Sequence, residues 1–330
     1  MSKTRGAPIL PSGVMTWVRR LGLLLSMACC VWVARVLWQE FANNGLSIEP
    51  SRLLLPFLLA VGGGVMVNAC LGVIWHQLVV AQGEAISLRD SIGLSWRVQI
   101  AKYIPGNIFH FAGRVMVAER FGVSRGVATR ATLLEPVLMV VVAGLISQRW
   151  LAELTGWGWI PPLVLLLAGV VGAGILIRNR FAQSASFESR SWNVSGKQIL
   201  ILLATTGGLF ALLALMFGLF IPLVETATPR SWSAVGEMVT VSWTVGFVAV
   251  GAPGGLGVRE ATLILFASSP ADADALLFIG VLTRSAMLAG DAVSMLLGAL
   301  MLGKDRPRPL NQADDKAALS KGAAGELPPR

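Results

Sequence analysis

The sequence predicts an all-α polytopic membrane protein with about six full spans and two re-entrant broken hairpins, arranged as an inverted-topology repeat. Three observations carry this. Hydrophobic residues make up 55% of the 330 and charged ones only 14%, whereas a soluble domain carries about 25% charged residues. Mean hydropathy is +0.69, and apolar runs recur at the bilayer-spanning length of about 20 residues. Two further apolar stretches are broken by Pro and Gly and resemble each other. Composition excludes an ordinary soluble enzyme, a disordered chain and a disulfide scaffold. A transmembrane β-barrel is excluded because its strands would alternate apolar and polar residues, whereas Leu53–Val80 is almost continuously apolar.

Residues 1–20 read as a cytoplasmic N-terminal segment and 21–303 as one transmembrane domain. The run 21–41 is too long for a cleavable signal and lacks a small-residue cleavage site, so it is expected to be a retained first span. The other full spans are predicted at 53–80, 131–148, 159–177, 198–224 and 275–302, and the interrupted stretches at 91–118 and 235–268. Residues 304–330 are polar and rich in Pro, Ala and Gly, the composition of a disordered cytoplasmic tail.

Orientation follows from Lys and Arg. With both termini cytoplasmic and each interrupted stretch returning to the face it entered from, 21 of the 27 basic residues fall on the cytoplasmic side. The other six are Arg35, Arg52, Arg149, Arg230, Arg259 and Arg284. A full crossing by one of the two stretches alone would invert the later loops and weaken the bias; crossings by both would not. Re-entrant hairpins are therefore the preferred reading.

The repeat points the same way. SWRVQIAKYIPGN from Ser95 and SWTVGFVAVGAPGG from Ser242 both read Ser-Trp-x-Val, then an apolar stretch, then Pro-Gly, at offsets of 147 and 148. The same offset carries one span of each half onto a span of the other. Units of about 53–148 and 198–302 result, each a span, a broken hairpin and a span, with 159–177 as linker. The first starts outside and the second inside, an inverted repeat. Broken backbone at membrane depth is tolerated only inside protein or against a polar cavity, and helix ends there supply partial charges for ions or head groups.

Charged residues cluster in these stretches. Glu135 precedes Pro136 within a span; Arg284 and Asp291 lie seven residues apart on one helix face; Arg259 and Glu260 follow a glycine-rich turn; Lys102, His110 and Arg114 lie in KYIPGNIFHFAGR. Each such charge costs about 2.5–3.5 kcal/mol on insertion scales, so convergence implies pairing around a polar cavity. Lys102, Arg114 and Arg259 are expected to attract a phosphate. Glu135 and Glu260 would orient them or bind a cationic head-group moiety, and Arg284 with Asp291 would form a gate pair. Pro105, Gly106, Pro253, Gly254, Gly255 and Gly257 would shape the re-entrant turns.

Plainer readings stand beside these. Arg284 and Asp291 could be a structural pair, Glu135 a brace at Pro136, and the glycines a surface for close helix packing. His110 reads as a hydrogen-bonded structural group. His76 reads as an interfacial side chain, and the tryptophans near span ends read as interfacial anchors. Cys29, Cys30 and Cys70 show no pairing or metal pattern. No cofactor, metal or nucleic-acid partner is expected, and no Walker motif is present.

KYIPGNIFHFAGR, followed by a basic loop and Glu135, resembles the first motif of the lysylphosphatidylglycerol synthase/flippase-like transmembrane domain family. GAPGGLGVREA resembles the second, about 150 residues on, and the likeness covers about residues 15–303. The likeness is to the membrane domain; some members of that family also carry a cytosolic aminoacyl-transferase domain, and this chain is expected to be a stand-alone membrane domain without one. The likeness implies a lipid flippase-like transporter of the bacterial cytoplasmic (inner) membrane, not an enzyme. Its partners would be membrane lipids, an anionic phospholipid or a polyprenyl-phosphate-linked glycan, and a glycosyltransferase or lipid-modifying enzyme. The alternatives are an accessory or enzyme of glycolipid or polysaccharide synthesis and a small-solute secondary transporter.

Overall fold

The computed structural model describes residues 50–103, 109–156, 194–249, 253–255 and 257–303, all of them helix, turn or connection with no strand among them. The expected spans at 21–41 and 159–177, the tail and the turn residues Pro105 and Gly106 lie outside the described residues. The described helices are α1 (Pro50–Val80), α2 (Leu88–Val98), α3 (Phe109–Ala118), α4 (Arg125–Ile146), α5 (Gln148–Thr155), α6 (Gly196–Gly218), α7 (Trp232–Val248), α8 (Val258–Leu263) and α9 (Pro270–Leu302). Short 3₁₀ turns follow α2 at Gln99–Tyr103 and precede α8 at Pro253–Gly255.

Four segments are long and apolar enough to cross a membrane: Ser51–Val80, Arg125–Ile146, Gly196–Leu223 and Pro270–Leu302. They coincide with four of the six predicted spans. The 31 residues of α1 extend about 46 Å at 1.5 Å per residue, beyond the ~30 Å of a hydrocarbon core. Leu54, Leu55 and Leu58 of α1 and Leu296 and Leu300 of α9 are exposed, an apolar surface of the kind that faces lipid.

Serine starts five of the helices. Ser87, Ser124, Ser195, Ser231 and Ser269 each turn a side-chain oxygen to a backbone N–H of the first turn of α2, α4, α6, α7 and α9. This satisfies a donor the helix leaves open. Gln198 completes a capping box on Ser195.

α1, α2 and α9 pack against one another, and α6 and α4 also lie on α1. Small residues set the distances. A Cβ on Gly290 of α9 would stand 2.9 Å from the Val61 carbonyl oxygen and 3.1 Å from Gly64 Cα; one on Gly72 would stand 2.6 Å from Ile92 Cα. Only hydrogen allows these backbones to meet. Trp75 of α1 is fully buried and donates from Nε1 to Thr132 Oγ1 of α4 at 3.0 Å.

Each interrupted stretch begins and ends in one neighbourhood. The backbone N–H of Ser124, at the start of α4, donates to Glu84, in the connection from α1 to α2, at 2.8 Å. Arg230, just before α7, grips Asp272 at the start of α9 through two nitrogens, at 3.0 and 2.5 Å, and donates to the Phe266 carbonyl at 3.1 Å. Apart from an added 3₁₀ turn at Ile221–Leu223 after α6, the succession of long helix, helix, turn, short helix, 3₁₀ turn and serine-capped long helix occurs twice, from α1 to α4 and from α6 to α9.

Candidate functional site

The 3₁₀ turns Gln99–Tyr103 and Pro253–Gly255 touch each other. Both halves of the chain thus contribute a helix break at one place. Around it lies a cavity of about 750 Å³ counted to its open mouth. Lys102, Arg259 and Arg284 line it together with Glu135, Asn68, Gln99 and His110; Leu209, Leu213 and Met287 supply apolar wall.

Local structure explains how each charge arrives. Gly254, Gly255 and Gly257 hold φ of 57°, 72° and 77°, a region in which a side chain is strained. The turn they make redirects the chain into α8, whose first turn carries Arg259 and Glu260. A Cβ on Gly255 would stand 2.7 Å from the Gly246 carbonyl oxygen, and one on Gly246 would collide with the Arg259 stem. The two glycines thus leave the slot through which Arg259 reaches the cavity. Its guanidinium lies over the Trp243 ring, 5.6 Å from the centroid. Trp243 stacks in turn on Phe247, with centroids 5.0 Å apart. Ser242 Oγ donates to the Arg259 carbonyl at 2.8 Å.

The predicted site residues resolve into distinct sets. Lys102 pairs with Asp291 at 2.8 Å. Asp291 also accepts from Asn68 Nδ2 at 2.8 Å, which reaches Ser294 at 3.1 Å. Arg114 and Glu135 form a buried ion pair between α3 and α4. Glu135 thus holds an arginine, one of the roles expected of it, while Arg114 lies behind the lining. Arg284 donates to the Gly254 carbonyl and so braces the glycine turn. Glu260 accepts from the Gly257 N–H at 2.8 Å and lines a smaller neighbouring cavity. His110 was expected to be hydrogen-bonded; its Nδ1 is buried without a partner among the described residues.

Across this cluster Lys102, Arg114, Arg259 and Arg284 stand against Glu135, Asp291 and Glu260, an excess of one positive charge before any ligand is present. Low-dielectric surroundings strengthen the attraction of that excess for an anion. No group of three or more His, Cys, Asp or Glu side chains able to hold a metal occurs among the described residues.

Sequence reasoning missed Asn68, Gln99 and the Trp243–Phe247 stack as parts of the site. Asn68 was detectable, as an amide inside the predicted span 53–80, where a polar group needs a partner. It also missed the Arg230–Asp272 clamp, whose residues lie 42 positions apart. No protein-family model matches the chain, and no match was found among curated proteins.

Proposed function

We propose that the chain is an integral membrane transporter of flippase type. It moves a lipid with an anionic head group, a phospholipid or a polyprenyl-phosphate-linked glycan, across a bacterial cytoplasmic membrane. The observation that carries the reading is the cavity between the two helix breaks, with Lys102, Arg259 and Arg284 on its wall beside apolar side chains. An amphiphile in transit needs that mixture: cations for the phosphate and apolar surface for what adjoins it. Arginines serve phosphate by bidentate contact.

The proposed architecture is six spans and two re-entrant hairpins in an inverted repeat, with both termini cytoplasmic. The twofold succession of elements supports the repeat, and the ties Ser124–Glu84 and Arg230–Asp272 support hairpins that leave by the side they entered. Transporters of this plan bind substrate where broken helices of two repeats meet, and transport by rocking one repeat against the other.

The test is translocation in proteoliposomes. Purified wild type and Arg259→Gln are reconstituted beside each other with labelled phosphatidylglycerol, its lysyl form and a polyprenyl-phosphate sugar. Movement of at least one anionic lipid by wild type, and about tenfold slower movement by the variant, is the expected result. No movement of any of the three by folded wild type would overturn the proposal.

A further inference from the structure

Two hydrogen-bonding atoms on residues that line the cavity are not accounted for by phosphate binding. Gln99 is 6% exposed and His110 7%; both line the cavity, and Gln99 Oε1 and His110 Nδ1 have no hydrogen-bond partner among the described residues. A buried acceptor without a donor costs about 1–3 kcal/mol, so an arrangement that keeps one on a residue lining a cavity suits a ligand that, on seating there, supplies the donor. An amide carbonyl oxygen can only accept. It is a poor partner for a phosphate oxygen and a good one for a hydroxyl. An imidazole nitrogen serves a hydroxyl as donor or acceptor according to its tautomer.

The aromatic lining adds a shape. Phe111, Trp243 and Phe247 line the same cavity, with Phe111 and Phe247 only half-buried. The C–H face of a sugar ring lies on the electron-rich face of an aromatic side chain, while its edge carries hydroxyls toward polar groups. A cationic head group finds less here. Glu135 is taken by Arg114, and Asp291 by Lys102 and Asn68. An added amine would enter a cluster that already carries excess positive charge.

Resting on the reading of the cavity as an anionic-lipid site, we infer that the head group is a sugar phosphate. The phosphate meets Arg259 and Arg284, a ring hydroxyl donates to Gln99 Oε1, another meets His110 Nδ1, and the ring face lies against the aromatic wall. The same chemistry occurs in a soluble hexose 1-phosphate and in a hexose phosphate carried on a polyprenyl chain. The apolar wall formed by Leu209, Leu213 and Met287 favours the lipid-borne form.

The experiment measures binding to the full chain in phosphatidylcholine nanodiscs. A radiolabelled short-chain polyprenyl-phosphate hexose is displaced by the same lipid without label, by the sugar-free polyprenyl phosphate, by phosphatidylglycerol and by soluble hexose 1-phosphate. The hexose lipid should bind about tenfold more tightly than the sugar-free lipid, the order that two net hydrogen bonds supply. Gln99→Leu and Phe247→Leu should each shrink that advantage, by weakening the hexose lipid more than the sugar-free one. Arg259→Gln should weaken both lipids.

Equal binding of the two lipids by wild type would overturn the inference, as would equal loss for both in Gln99→Leu. Soluble hexose 1-phosphate displacing the probe as well as the lipid does would overturn the lipid-borne form. Should Phe247→Leu fail to fold, Gln99→Leu decides the matter alone. The translocation assay reads movement of any anionic lipid. A transporter that moves phosphatidylglycerol without discriminating the sugar would therefore defeat this inference and leave the proposed function standing.

Discussion

Lys102, in the turn that breaks the first interrupted stretch after α2, and Asp291, two-thirds along α9, meet at 2.8 Å with side chains 15% and 2% exposed. The contact joins the first half of the chain to the second. Asn68 of α1 binds the same carboxylate, so three elements converge on one acidic group. Desolvation makes such a group costly to bury and costlier to bury alone.

Removing one partner of this pair should therefore hurt more than removing both. Asp291→Leu leaves the Lys102 ammonium without its carboxylate and should lower stability by about 3–5 kcal/mol. The double variant Lys102→Met/Asp291→Leu should recover a large part of that loss. Thermal unfolding of the four proteins in one detergent gives the coupling directly. Additive losses would mean that the pair is not the joint described.

The Arg114–Glu135 pair, with side chains 0% and 5% exposed, invites a comparison. Arg114 Nε and Nη2 have no hydrogen-bond partner among the described residues, so the site is polar beyond its ion pair. Glu135→Gln keeps the shape and removes the charge, and should destabilise by about 3–5 kcal/mol. Because Arg114 lies behind the cavity lining, Arg114→Lys should reduce stability before it reduces ligand affinity. A melting curve paired with a binding isotherm of the same preparation separates the two. Affinity lost at unchanged stability would place Arg114 in the binding set.

What could be read from the sequence, and what could not, follows from the range of each signal. The spans at 53–80 and 275–302 are legible because hydropathy is a local sum, and α1 and α9 begin and end within a few residues of the expected limits. The glycine turn is legible because Gly254, Gly255 and Gly257 adopt positive φ that few other residues tolerate. Partner choice is not local. Arg284 and Asp291 share a helix face, which suggested a pair; the partners Arg284 and Asp291 take in the fold include groups far off in sequence, the Gly254 carbonyl for the one and Lys102 and Asn68 for the other. Nothing in the spacing of Asn68 and Asp291, 223 residues apart, could have revealed that contact.

Asp272 should be the more sensitive half of the Arg230–Asp272 clamp. It accepts from Arg230 and also from the backbone N–H groups of Ser268 at 2.8 Å and Thr228 at 2.9 Å. Arg230→Ala removes one partner and leaves the carboxylate with its other donors. Asp272→Ala orphans all of them and should cost more, by about 1–3 kcal/mol. Thermal unfolding ranks the two; the reverse order would show that the arginine, not the carboxylate, organises the connection.

Glycine substitutions separate packing from composition. Gly290→Ala sets a methyl 2.9 Å from the Val61 carbonyl oxygen, whereas a Cβ on Gly207 of α6 meets nothing within 4 Å. Gly290→Ala should push α1 and α9 apart, at about 1–3 kcal/mol or more for overpacking, and Gly290→Val should prevent recovery of folded protein. Gly207→Ala should be neutral or slightly stabilising, since Ala gains about 1 kcal/mol over Gly in a helix. Size-exclusion profiles and melting temperatures of the three variants decide the point. Equal tolerance at both sites would mean that α1 and α9 are not in backbone contact.

Sidedness is the sharpest consequence of the hairpin reading. Glu84 and Glu119 lie at the two ends of the first broken stretch, and Glu225 and Ser268 at the two ends of the second. If each stretch returns to its starting face, Glu84→Cys and Glu119→Cys will react with a membrane-impermeant maleimide from one side of the membrane. Glu225→Cys and Ser268→Cys will react from the other. A Cys70→Ser background removes the free thiol among the described residues, which lies within α1. Cys29 and Cys30 also need replacement. With the orientation proposed from the excess of Lys and Arg near the first pair, that pair would face the cytoplasm and in intact cells only the second pair should label. If Glu84→Cys and Glu119→Cys labelled from opposite sides, the first stretch would be a full crossing and the inverted repeat would fail. If the pairs held together with sides exchanged, the hairpins would stand and only the orientation drawn from basic residues would be reversed.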